Sequence, residues 1–311
     1  MSGLELGHIE KLLVESEIER GVMRCVFRCP ASGSEVRSSA VVVAGEGLRE
    51  HAGAGAAPGG ALMESLARAV TTAFGSAFLL RRNQDGSSDN EASRFSTDEK
   101  NLAVFRAFQL ISARFLWLAT EEGWVAADSR SDLATEFSLQ LARAPIPAGY
   151  DEAVTARMMA EVAAVDGRLA DAERALLERF VNTEIGSVDE LLGRPALRQA
   201  ELDEVSPGEV RRTMLMMVWA LAVIDEKLHD NEIALLAKFA DGLGISSDDS
   251  ETLKHYAAQF AVDQALALAY RDGSLDELRY ASARALATKL GMSRNDADGM
   301  DARVRKRFGV Y

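Results

Sequence analysis

Aspartate and glutamate recur at matching places in two stretches of this chain. Residues 163–180 read AAVDGRLADAERALLERF and residues 222–239 read AVIDEKLHDNEIALLAKF, identical at nine of eighteen positions without a gap. The repeat matches Asp166 with Asp225, Asp171 with Asp230 and Glu173 with Glu232. Two similar helical hairpins packed about a pseudo-twofold would carry the carboxylates of one copy toward those of the other. Gathered carboxylates repel one another unless a cation neutralises them. With oxygen ligands alone, and no histidine or cysteine in register, that cation is hard: calcium, magnesium or manganese ahead of zinc. An EF-hand is excluded, because neither DGRLADAE nor DEKLHDNE sets oxygen ligands at alternating loop positions followed by a glycine and a distant glutamate.

Each acid also has a local explanation. Asp171 and Asp230 fall at helix starts, where the helix dipole favours negative charge, and they are assigned no further role. Glu173 and Glu232 fall at the third helical position, from which glutamate can bond back to the cap residue's amide. A full capping box needs a short polar residue three positions earlier, and Ala170 and His229 stand there. Asp166 precedes Gly167, as an aspartate holding its own turn often does. Asp225 precedes Glu226 instead, so the acid persists between copies while the turn chemistry changes. Contacts to cations such as Arg168 or Lys227 would explain the acids equally well.

The elements that must position these residues are mostly helical. Two valine-rich stretches, Val22 to Phe27 and Val36 to Val43, flank the turn text CPASGSE and read as a β-hairpin. Cys25 and Cys29 share one face of this text and read as buried or half-buried thiols, too few for a closed zinc site. A Gly/Ala-rich connector follows, then an amphipathic segment starting at Ala61. Its stripe is Leu62, Leu66, Val70, Ala73, Ala77 and Leu80, with Ala69, Thr72, Gly75 and Ser76 opposite and Arg81 and Arg82 at its end. Such a helix suits a membrane surface, a partner's groove or its own domain. Residues 83–100 read as a polar linker. Asn101 to Thr120 reads as one aromatic helix through Phe105, Phe108, Ile111, Phe115 and Trp117, and a further helix spans Leu133 to Ala144. From Asp151 onward the pattern is helical throughout, with a third, degraded copy that keeps Asp272, Gly273 and Leu275 but has Arg279 at the glutamate position. The organisation expected is therefore 1–44, 45–82, 83–100, 101–150 and 151–311: mostly α, a C-terminal all-α bundle of repeated hairpins behind a small N-terminal α+β region.

Length and charge bound the remaining options. At 311 residues, 48% hydrophobic and 27% charged, the chain has an ordinary globular composition. A net charge of −13 argues against a general nucleic-acid binder. The one short basic run, Arg303, Arg305, Lys306 and Arg307, reads as the end of a last helix. Scarce cysteine and an N-terminus with acids where a signal peptide needs a basic region lead to an expected cytoplasmic location, peripheral to a membrane at most.

The repeated pattern of apolar residues, Asp, Gly, a polar residue, an aliphatic, then Glu seven after the Asp resembles the TerB-like domains of tellurite-resistance and stress-response proteins. The resemblance covers about half of the chain, from Asp151 to about Arg307, and departs from the family at Glu226 and in the third copy. It implies an all-α fold, a metal-binding acidic cluster at Asp166, Glu173, Asp225 and Glu232, protein partners in membrane-linked stress complexes, and no enzymatic activity. Three readings stand open: a binding module for a divalent cation or basic partner, a metal-dependent hydrolase using the paired carboxylates, and a structural helical adaptor. Against the hydrolase stand four scattered histidines, His8, His51, His229 and His255, and the lack of a nucleophile elbow or phosphate loop.

Overall fold

In the computed structural model the N-terminal third is built on a three-stranded antiparallel sheet. The structure describes residues 6–45, 94–109, 111–147, 149–165, 174, 177, 187–224, 229–270 and 273–310. A short helix α1 (Leu6–Glu10) leads into β1 (Leu13–Glu19), β2 (Val22–Arg28) and β3 (Glu35–Val41), in the order β1-β2-β3. The valine-rich hairpin forms as the sequence indicates, with Met23 opposite Ala40 and Phe27 opposite Val36. The third strand, β1, was not anticipated: LVESEIE alternates acid and aliphatic at period 2. It joins β2 through Arg20 (φ 55°) and Gly21 (φ 75°), both left-handed, as a two-residue turn matched to strand twist requires.

Helix α2 (Thr97–Gln109) covers the inner face of this sheet, where Ser38 donates to the Ala107 carbonyl at 2.7 Å. Thr97 to Lys100, assigned to a linker by sequence, forms its first turn. The single aromatic helix expected through Trp117 is not formed. The helix stops at Gln109, a 3-10 turn covers Ser112–Arg114, and Phe115–Leu118 is a strand, β4, paired with β5 (Gly123–Ala126). Aromatic side chains pack well on a pleated surface, and Trp117 opposite Trp124 makes a T-shaped pair at 5.6 Å. Both cysteines are buried and free. Cys29 Sγ accepts the Ala126 N–H at 3.2 Å, tying β2 to β5, and burial pushes the Cys25 thiol up to about 12.

Helix α3 (Glu136–Arg143) is a shared wall. Leu139 belongs to the N-terminal core, whereas Phe137 and Leu141 belong to the helical core. The helical part then comprises α4 (Tyr150–Ala163), α5 (Val188–Leu192), α6 (Gln199–Asp203), α7 (Glu209–Ile224), α8 (Asp230–Gly242), α9 (Ser247–Ala269), α10 (Glu277–Lys289) and α11 (Arg294–Phe308). Helix α7 is buried all round, from Met214 to Val223, and forms the centre of this core. The mostly helical class with a small N-terminal sheet is what the sequence indicated. No described helix is long and apolar enough to cross a membrane.

The basic run ends α11, as expected, and also anchors it. Arg307 forms a buried ion pair with Asp263 of α9 at 2.7 Å, and its carbonyl accepts the Ala119 N–H at 2.8 Å. Lys306 reaches Asp132 at 3.0 Å, beside the N-terminal core.

Candidate functional site

Helices α4 and α7 are the first helices of the two repeats, and they pack against each other. Their starts lie together: the Ser206 N–H, just ahead of α7, donates to Asp151 Oδ1 at the start of α4 at 3.1 Å. Helix α8 runs back along α7, because Arg211 near the start of α7 donates to the Leu243 carbonyl at the end of α8 at 3.1 Å. The second repeat is therefore an antiparallel helical hairpin, as its spacing indicated. In the first repeat Arg174 and Leu177 are helical, and Leu177 is fully buried in the same core.

Of the four carboxylates singled out by sequence, Asp166, Glu173 and Asp225 lie outside the described residues, as does Asp171. Glu232 is described, and it stands at the third position of α8. It is 5% exposed, and its Oε2 accepts the His229 N–H at 2.8 Å. The bond does not depend on the type of side chain at the cap position, since a backbone amide supplies the proton. The missing polar residue at position 229 therefore does not prevent Glu232 from capping.

The same reach-back recurs along the chain. Glu99 accepts from Ser96 N at 2.7 Å, Glu152 from Gly149 N at 3.4 Å, Glu190 from Ser187 N at 2.7 Å and Glu201 from Arg198 N at 2.9 Å. The cap residues are Ser, Gly, Ser and Arg, which shows that the third-position glutamate carries the device. Burial sets Glu232 and Glu152 apart, each 5% exposed, while Glu190 is exposed. A buried carboxylate must be compensated by hydrogen bonds or charge.

The third copy explains itself in the same terms. There Asp276 caps α10 with its own carboxylate, accepting from the Leu278 and Arg279 amides at 3.1 Å each. A cap that brings its own acceptor removes the need for a third-position glutamate, and Arg279 occupies that place. In the second and third copies, whose caps are described, the glutamate thus follows the capping requirement, whereas the sequence of all three copies keeps an aspartate at the matching position, Asp166, Asp225 or Asp272. That contrast was readable in the sequence, had the cap of each second helix been compared across the copies.

Glutamine in place of Glu232 keeps the acceptor and loses the charge, whereas alanine loses both. Glu232→Ala is expected to destabilise the chain by about 1–2 kcal/mol, with Glu232→Gln losing less than half as much in urea unfolding. Equal losses would mean that the charge, not the cap bond, is what α8 needs.

Among the described residues, no group of three or more His, Cys, Asp and Glu side chains is placed to hold a metal ion. Glu232 as a donor fits a hard cation by its chemistry, being a carboxylate in an oxygen-only set. The class defined by these observations is a mostly helical protein with a small N-terminal antiparallel sheet. No family model matches the chain, and no curated protein and no solved structure matches it.

Proposed function

We propose that the chain is a non-enzymatic, TerB-like binding module whose duplicated acidic turns take up a divalent cation or a basic partner, within a stress-response assembly at or near a membrane. The observation that carries this reading is the pairing of α4 and α7, which begin side by side and pack together. Two packed helices that start together carry the residues after their C-terminal ends toward the same end of the bundle. Asp166 follows shortly after α4 and Asp225 directly after α7. A helix C-terminus already bears partial negative charge, so an aspartate there is unfavourable unless a cation answers it. Its presence in every copy is consistent with a carboxylate kept for binding.

Asp166 and Asp225 are the principal ligands in this reading. Glu173 and Glu232 complete the oxygen set from the starts of the second helices, where Glu232 also fixes the first turn of α8. The set is hard, which favours calcium, magnesium or manganese over zinc. A cation that binds only the folded state stabilises it by about 2.7 kcal/mol at a hundredfold excess over Kd. Metal-stripped protein is therefore expected to melt several degrees higher with calcium or manganese, and Asp166→Asn/Asp225→Asn is expected to abolish the shift. An unchanged melting temperature with every cation would overturn the reading. The specific observation that favours the second reading, a structural adaptor, is the cap bond of Glu232, which accounts for that residue without a ligand.

A further inference from the structure

The sheet has an outer face that no described helix covers, and its chemistry selects an occupant. Residues paired across antiparallel strands share a face, so the registers define this surface completely. Its rows are Glu19–Val22–Val41, Glu17–Arg24–Ser39, Glu15–Val26–Arg37 and Arg28–Glu35. Helix α2 lies on the opposite side, where Ser38 meets Ala107. Val41 is 43% exposed and Val43, next but one along the chain, 37%, while Val22 and Val26 are half-buried. Ser39 points the same way and is only 2% exposed. Along the β1 edge runs a column of three glutamates. Glu19 pairs with Arg24 at 2.6 Å, and Arg37 and the Arg28–Glu35 pair complete the charged members of the face.

We propose that this face is the dock for the chain's own amphipathic segment, residues 61–82, which lies outside the described residues. Four observations on the sheet and the sequence argue for that occupant over a separate partner. The chain leaves the sheet at the end of β3 and comes back close to that point, where the Gly45 N–H donates to the Glu99 carboxylate of α2 at 2.5 Å, so the intervening stretch begins and ends at one edge of the sheet. Its apolar stripe, Leu62, Leu66, Val70, Ala73, Ala77 and Leu80, matches a face whose apolar members are valines. As a helix the segment would be roughly 33 Å long, enough to cross strands of roughly 23 Å. Its charged residues are Glu64, Arg68, Arg81 and Arg82, a net positive set, and the β1 edge of the face carries the glutamates Glu15, Glu17 and Glu19 while its arginines, Arg24, Arg28 and Arg37, lie on β2 and β3. A helix on the second side of the sheet also completes the layering that a sheet with apolar residues on both faces calls for. While docked there, the stripe cannot face a lipid surface, so docking and membrane contact exclude one another. The proposal is independent of the acidic turns.

Crosslinking within the full chain tests it. Cys25 and Cys29 are buried at 2% and 0% exposure, so introduced cysteines dominate the chemistry. Val41→Cys is combined with Ala73→Cys or Ala77→Cys on the stripe, or with Thr71→Cys or Gly75→Cys, about 160° away around the helix, with Val43→Cys as a second anchor. A short bis-maleimide should join the stripe positions within one chain about fivefold or more efficiently than the opposite positions, since the two sets point to opposite sides of a helix. Adding Glu15→Lys and Glu17→Lys should lower that yield about two- to fivefold at low salt. Equal yields from both sides, or links that join two chains instead of one, would overturn the proposal.

Discussion

Asp263→Ala is expected to destabilise the folded chain by about 3–5 kcal/mol, because it leaves a buried guanidinium without its counter-charge. Arg307 and Asp263 are 5% and 4% exposed and meet at 2.7 Å. Water therefore cannot replace the lost carboxylate at that position. The pair closes α11 onto α9, and the Arg307 carbonyl at the same site holds the Ala119 amide after β4. The damage should consequently spread to the N-terminal core, read as earlier loss of Trp117 and Trp124 fluorescence in urea. The double variant Asp263→Leu/Arg307→Met removes both charges and is expected to recover most of the loss. If the double variant were as unstable as Asp263→Ala, packing and not charge would be the cause.

Phe137→Ala is the second large effect, expected at about 3–5 kcal/mol for a fully buried aromatic. Phe137 stacks on Phe260 with centroids 4.3 Å apart, three residues before Asp263 on the same helix. Helix α9 thus receives α3 through Phe260 and α11 through Asp263. Two positions on one face hold the N-terminal core and the helical bundle together. Phe137→Leu fills more of the cavity and should lose distinctly less; equal losses in urea unfolding would contradict the packing argument.

How far these elements were readable varied for physical reasons. The β2–β3 hairpin was legible because two valine runs flank Pro, Ser and Gly. Strand β1 was missed because its acids interrupt the apolar text, although one face of a strand is often solvated in this way. The aromatic run that ends in β4 was misread as helix because Phe105, Phe108, Ile111 and Phe115 satisfy a 3.6-residue period. The chain breaks that period at Ser112–Arg114, where FLWL begins and β propensity outweighs the periodic pattern. Nothing local announces the Arg307–Asp263 pair, since it joins residues 44 apart.

At the candidate site, the helical hairpin of the second copy was legible, and so was the third position of Glu232. The strength of its cap was not. Absence of a polar cap side chain was weighed against capping, yet the bond that forms uses the His229 backbone amide. Arg279, which looked like decay of a ligand, instead follows from the carboxylate of Asp276. Each correction comes from pairing two residues that a one-residue reading treats apart.

The central claim is that Asp166 and Asp225 act together on a cation, and calorimetric titration of metal-stripped protein tests it most directly. Calcium and manganese are expected to bind the unaltered chain with Kd below about 1 mM, or more than about 4 kcal/mol of binding free energy. In Asp166→Asn/Asp225→Asn the affinity is expected to fall at least about tenfold. No heat of binding from the unaltered chain, or equal affinity in the double variant, would contradict the account.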